Sequence, residues 1–143
     1  MKHIELKIYG ECADETDTAD GKLSDGAGGA AGGEGGEAAG GERIIRPALA
    51  NSYFLRLRGL IGRSAKDVGG LLIVPCNQIH TFFMSEAIDV IYIDVQGCVL
   101  KIDEAVEPGR MCKAVRGAKK VLELYAGASA ELGLKPGNIL REC

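Results

Sequence analysis

IDVIYIDV at residues 88–95, followed by QG at 96–97 and CVLKIDEAV at 98–106, is the stretch on which the fold turns. Residues 88–95 are apolar at both parities, the mark of a strand buried on both faces and central in its sheet. Gln96-Gly97 supplies a turn, and residues 98–106 return as the hairpin partner. Upstream, residues 70–75 (GLLIVP) read as a buried strand and residues 79–84 (IHTFFM) as another. Ile44-Ile45-Arg46 is a short strand stopped at Pro47, and Ile4, Leu6 and Ile8 alternate with polar neighbours in a leading strand. Downstream, Glu107-Pro108-Gly109 is a second turn, and residues 113–115 and 120–125 are strand candidates. A helical turn falls within 127–134, and Pro136-Gly137 leads into a last strand at 138–141. Asn51 or Ser52 can cap a helix whose apolar positions are Phe54, Leu57 and Leu60 or Ile61, with Gly59 and Gly62 at its end. Seven or more short strands with turn signals between them predict a mainly β sandwich or barrel with one or two short helices.

That pattern is interrupted once. Residues 26–41 comprise only Gly, Ala and Glu, with nine glycines among sixteen residues. Such chain loses the most entropy on ordering and has few side chains to bury in return. The expected organisation is therefore a leading strand in 1–10, a flexible insertion at 11–43 and a β-rich domain over 44–143. The net charge of −3 hides an acidic first part, −6 over residues 1–43, and a β-rich part of +3. That modest excess, with Arg56, Arg58 and Arg63 as its nearest approach to a cluster, is no nucleic-acid footprint. Trp is absent and only 5% of residues are aromatic, so the core must be built from Ile, Leu, Val and Met. The five cysteines, 12, 76, 98, 112 and 143, form no CxxC pair, and the N-terminus has no apolar core of a signal peptide. No run reaches the roughly 18 apolar residues of a membrane span. Free thiols in a reducing cytoplasm are the consistent expectation, with Cys98 and Cys112 as small core residues.

Three segments in order carry a resemblance: ANSYFLRLRGLIGR (50–63), CNQIHTFFMSEAIDVIYIDVQGCVLKI (76–102) and GAKKVLELYAGASAELGLKPGNIL (117–140). Together they resemble the domain-of-unknown-function family number 192, over about residues 44–143. The resemblance implies a compact jelly-roll-like β-sandwich with a short helix, and no established biochemical activity. Many relatives begin with an export signal, which this chain lacks at its start, and the Gly/Ala/Glu segment is a further departure.

His80 leads the residues that could carry chemistry, as a side chain that titrates near neutral pH and a common metal ligand. Cys76, His80 and Met84 offer thiolate, imidazole and thioether, a soft-metal set. Four residues of straight strand span about 13 Å, too far for one metal unless 77–78 folds back, so no cofactor is expected. Cys76 and His80 are separated by the same spacing, which argues against a nucleophilic pair. Asp89 interrupts an apolar strand, and Glu123 sits between Leu122 and Leu124. A buried carboxylate needs a partner, and Arg58 is the one that best matches the family's pattern. One reading is an internal salt bridge that pins the helix to the sheet. The other is a polar cluster of Arg58, His80, Asp89 and Glu123, with Met84 beside them, lining a pocket.

Three functions remain open on the sequence. The leading one is a non-catalytic accessory or small-ligand-binding module, its partner an unidentified small molecule or protein. The second is an acid–base or hydrolytic enzyme using His80 with Asp89 or Glu123. The third is a structural or protein-interaction module.

Overall fold

The computed structural model describes residues 2–12, 42–52 and 64–143. In chain order the elements are β1 (Leu6–Glu11), β2 (Ile44–Ile45), β3 (Ala48–Ala50), α1 (Ala65–Val68), β4 (Leu71–Ile73) and β5 (Ile88–Ile93). β6 (Val99–Val106), β7 (Lys120–Tyr125), α2 (Ala128–Glu131) and β8 (Asn138–Glu142) follow. β5 is buried at all six positions and lies between β7 and β6, antiparallel to both. Its doubly apolar sequence thus has the central place it requires. The larger sheet runs β3-β4-β7-β5-β6, and a second sheet runs β2-β1-β8. Among the described residues neither sheet closes into a barrel, and the chain is mainly β with two sheets and two short helices.

Two cores follow from strand alternation. On one face of the larger sheet, Leu72, Ile91, Ile93, Leu122 and Leu124 pack against Leu6, Ile8, Ile45 and Leu140 of the smaller sheet. On the other face, Leu71, Ile73, Val90, Tyr92 and Val121 pack under Ala65, Ile79, Cys112 and Ala118. The second core is roofed by irregular chain rather than by a sheet. The sheets also meet at Gly97, where φ is +93° and an added Cβ would lie 2.3 Å from the Leu140 carbonyl oxygen. Only glycine fits that crossing.

Four expectations need correction or relocation. Residues 79–84 do not form a strand: they make a single bridge, His80 to Met111, and then turn. Residues 113–115 do not form a strand either: Val115 N–H bonds to the Asn77 carbonyl, but no regular ladder is built there. Cys12 and Cys98 are joined in a disulfide, with Cα atoms 6.2 Å apart, which overturns the free-thiol expectation for that pair. Sequence separation of 86 residues hid the pair, since pairing is decided by the apposition of β1's end with the start of β6. The helix expected after Ser52, with Arg56, Arg58 and Arg63, lies outside the described residues over most of its length.

Candidate ligand site

The roof of the second core is a two-stranded ribbon made from residues 77–81 and 110–115. Val115 N–H donates to the Asn77 carbonyl (2.9 Å), Cys112 N–H to Ile79 (3.0 Å) and Thr81 N–H to Arg110 (2.8 Å). Alternation turns Ile79, Thr81 and Cys112 inward, all buried, and His80 and Met111 outward, both exposed. Thr81, fully buried, is the peg of the ribbon. Its hydroxyl donates to the Glu107 carbonyl (2.7 Å) and accepts from Arg110 N–H (2.9 Å), while its carbonyl accepts from Gly109 N–H (2.9 Å) and Met84 N–H (3.3 Å). The last bond closes a turn with Phe82 and Phe83 at its corners. Phe83 has φ +63°, the conformation that such turns leave to Gly or Asn.

Beneath the roof, register lines up the polar groups of the sheet. Glu123 on β7 stands opposite Leu71 on one side and Val90 on the other, and Val90 stands opposite Asp103. One row further, Tyr92 stands between Val121 and Lys101. Glu123, Tyr92, Asp103 and Lys101 therefore share one face, the face capped by Cys112. Lys101 and Asp103 form an ion pair at 3.1 Å near the sheet edge. Deeper in, Glu123 is 3% exposed and Tyr92 is fully buried. Glu123 Oε2 and Tyr92 Oη are both sealed from solvent without a hydrogen-bond partner among the described residues. The Tyr92 hydroxyl lies beside the Cys112 thiol and the Asp103 carboxylate but bonds to neither at acceptable geometry.

Burial sets the protonation of this group of side chains. It pushes the Glu123 carboxyl up to about 8, so the acid is mostly neutral at pH 7. Burial, aided by Cys112 and Asp103, raises Tyr92. It also raises the Cys112 thiol, a rise that Asp103 and Glu123 reinforce and Tyr92 partly offsets. Near neutral pH the face thus presents three protonated groups, COOH, phenol and thiol.

Asp89 lies elsewhere. It stands opposite Leu124, one position out of phase with Glu123, so its side chain leaves the other face of the sheet. Its Oδ1 accepts from Ala105 N–H (2.9 Å). Its Oδ2 accepts from Ser129 Oγ–H (2.6 Å), Ser129 N–H (3.0 Å) and Gly127 N–H (3.2 Å). Burial works to raise its pKa, but the Ser129 hydroxyl and the three backbone donors outweigh it and hold the carboxyl below its usual value. Among the described residues its partners are therefore the Ala105 N–H of β6 and, at the start of α2, the Gly127 and Ser129 N–H groups and the Ser129 hydroxyl, not a cation.

The expected cluster does not assemble as one. His80 is exposed, facing outward, with its ring stacked on Phe82 at 5.0 Å. Met84 is half-buried and packs on the second core, as does Cys76, whose thiol donates to the Gln78 carbonyl (3.1 Å). Among the described residues no three His, Cys, Asp or Glu side chains converge as a metal site. Arg58 lies outside the described residues. Glu123 is buried on the roofed face of the sheet, and its companions there are Tyr92 and Cys112, which sequence reasoning passed over. Tyr92 carried one signal: it is the lone phenol in a strand of Ile and Val, and a buried Tyr hydroxyl needs a partner.

Fold and site together define a two-sheet β module with one sheet face closed by a ribbon over protonated polar groups. The model of domain-of-unknown-function family 192 (DUF192, described as Uncharacterized ACR) matches residues 37–141, and the chain belongs to that family. A UPF0127 protein of Thermococcus sibiricus is 32% identical over 97 residues, covering 62% of this chain and 62% of that protein. The match thus spans about three fifths of that relative's length. Two crystal structures share the fold. A protein of unknown function from Novosphingobium aromaticivorans has TM-score 0.64 at 24% identity, covering 72% of this chain and 79% of that one. A putative transcription regulator from Sinorhizobium meliloti has TM-score 0.69 at 20% identity, covering 99% and 94%.

Proposed function

We propose that this chain is a non-catalytic binding module that takes a small neutral molecule by an acceptor oxygen, between the larger sheet and its ribbon roof. The observation that carries the reading is the pair of orphaned buried atoms, Glu123 Oε2 and Tyr92 Oη, on one sheet face and one row apart. A buried polar group without a partner costs about 1–3 kcal/mol, and native proteins leave few of them. A ligand oxygen that accepts from both would remove both costs. A neutral ligand is favoured over an anion because Asp103 borders the site and Glu123 ionises as pH rises.

The enzymatic alternative has less support. His80 points outward on the ribbon, Asp89 leaves the opposite sheet face, and neither carboxylate makes a hydrogen bond to His80 among the described residues. A relay requires contacts of about 2.6–3.2 Å or one bridging water. The Cys12–Cys98 disulfide favours an oxidising compartment over the cytoplasm expected from sequence.

Methyl NMR titration with acetamide, N-methylacetamide and dimethyl sulfoxide tests the proposal. Expected are saturable shifts at Leu71, Val90 and Val121, absent in a Tyr92→Phe, Glu123→Leu double variant that still folds. If those methyls do not respond to any probe, or respond equally in the folded variant, the site holds no such ligand and the reading falls.

A further inference from the structure

His80 and Met111 face each other across the ribbon, joined by an antiparallel bridge. The backbone bonds on either side belong to their neighbours: Thr81 N–H donates to the Arg110 carbonyl (2.8 Å) and Cys112 N–H to the Ile79 carbonyl (3.0 Å). His80 and Met111 are therefore a non-hydrogen-bonded pair, the kind with Cα atoms only about 4.5 Å apart and side chains closest together. Both side chains are exposed on the outer side of the ribbon. Their bases are held by the buried Thr81 peg, and the imidazole is stacked on Phe82 with ring centroids 5.0 Å apart and planes 23° from parallel. Among the described residues no hydrogen bond or ion pair engages the imidazole or the Met111 sulfur.

An imidazole nitrogen and a thioether sulfur thus rise side by side from two adjacent strands. Along its own strand His80 had no such neighbour, and Cys76 and Met84 pack inward on the second core. The distance that excluded a site made of those three does not separate His80 from Met111. We propose that His80 and Met111 form a two-donor site for Cu(I) on the outer side of the ribbon. The site lies across the ribbon from Glu123 and Tyr92 and does not depend on a ligand bound there.

Donor chemistry selects the ion. Thioether and imidazole are neutral donors, and a thioether favours soft ions. Hard cations want carboxylate or carbonyl oxygens, and the acidic side chains of the flanking turns are engaged, Glu86 by the Ser64 hydroxyl and Glu107 by Arg110. Zinc usually takes about three or four protein ligands, whereas closed-shell Cu(I) is satisfied by a linear pair of soft donors. Charge points the same way. Lys113 follows Met111 on the outward side, since Cys112 between them is buried, and a nearby cation repels a divalent ion more than a monovalent one.

The test titrates Cu(I) under ascorbate, and Ag(I) as its air-stable analogue, into the full chain with its disulfide intact. Cys76→Ser and Cys143→Ser are introduced so that the more accessible thiols do not compete, and Cys112 is buried. Saturation at one ion per chain is expected, with the Met111 methyl and the His80 ring resonances moving together and the Met84 methyl still. Met111→Leu and His80→Gln should each weaken binding by more than the roughly tenfold to hundredfold that loss of an outer-shell partner costs. Met84→Leu should leave it unchanged. Both mutated donors are exposed, and circular dichroism and Tm confirm that the variants fold. If neither resonance moves, or if affinity survives in Met111→Leu or His80→Gln, the proposal is overturned. Dependence on Met84 overturns it too, as does equal binding of Zn(II), because the donors would then not be selecting a soft monovalent ion.

Discussion

Glu123 and Asp89 are both carboxylates in central strands, and what reaches them decides their opposite protonation. Four donors converge on Asp89 from the bulge at Ala105 and the start of α2, so it stays ionised although it is buried. No donor among the described residues reaches Glu123 Oε2, so burial wins and the proton stays on. The sign of the pH effect follows. The folded pKa, about 8, lies above the ordinary 4.5, so between these values the folded state holds a proton that the unfolded state has lost. The stability contribution of Glu123 is full below pH 4.5, declines as pH rises through the window and is gone above 8. Glu123→Gln is neutral at every pH and removes this dependence. Relative to the variant, the wild-type unfolding constant should rise about tenfold per pH unit, roughly three orders of magnitude across the window. Urea titrations of both proteins from pH 4.5 to 8.5 measure it, and parallel pH profiles would show that Glu123 is ionised in the fold.

At the scale of the element, the ribbon shows how one side chain substitutes for a strand. A strand prediction for IHTFFM is locally sound, because β-branched and aromatic residues alternate there. Among the described residues the segment instead pairs with 110–115, and the Thr81 hydroxyl supplies bonds that a longer ladder would have made. Thr81→Val keeps the shape and deletes the hydroxyl, leaving Arg110 N–H and the Glu107 carbonyl short of a partner. A loss of about 2–3 kcal/mol is expected by chemical denaturation, with the His80 and Phe82 resonances most displaced. A change under 0.5 kcal/mol would mean that the ribbon is held by its packing alone. β6 is bent by similar means. Between Ile88 and Val90 its register slips by one residue, and Ala105, at φ +48°, donates to Asp89 from that bulge. A polar residue in β5 thus fixes an irregularity in its neighbour, a link that no local window of sequence contains.

For the whole molecule, the pairing of β1 with β2 gives the long intervening segment a simple topological role. The two strands are antiparallel neighbours, Leu6 opposite Ile45 and Lys7 opposite Ile44, and Lys7 pairs with Glu42. Residues 13–41 therefore connect a hairpin. Replacing them with a six-residue Gly/Ser linker should leave stability within about 1–2 kcal/mol, since closure entropy changes only logarithmically with loop length. Tm and denaturant midpoints of the shortened protein check this, and a loss of several kcal/mol would show that the segment contributes packing. The closing links of the molecule are elsewhere, where Cys98 bridges to Ile139, bonds to Cys12 and follows Gly97 at the Leu140 crossing.

Sequence by itself determined the strands that pattern can mark: β5 and its hairpin with β6, then β1, β2, β4, β7 and β8, together with membership of the family. Each has a period or a turn signal that does not depend on distant chain. It also singled out His80, Asp89 and Glu123 as side chains in need of explanation. Tertiary structure alone decided what those side chains do. One residue of register separates Asp89 from Glu123 and sends them to opposite faces, one to a nest of donors and the other to a sealed core. Ribbon pairing turned His80 outward, and the apposition of strand ends joined Cys12 to Cys98. The physical reason is common to all three: periodicity reports which residues are buried, whereas partners are set by register and by contacts between residues far apart in the chain.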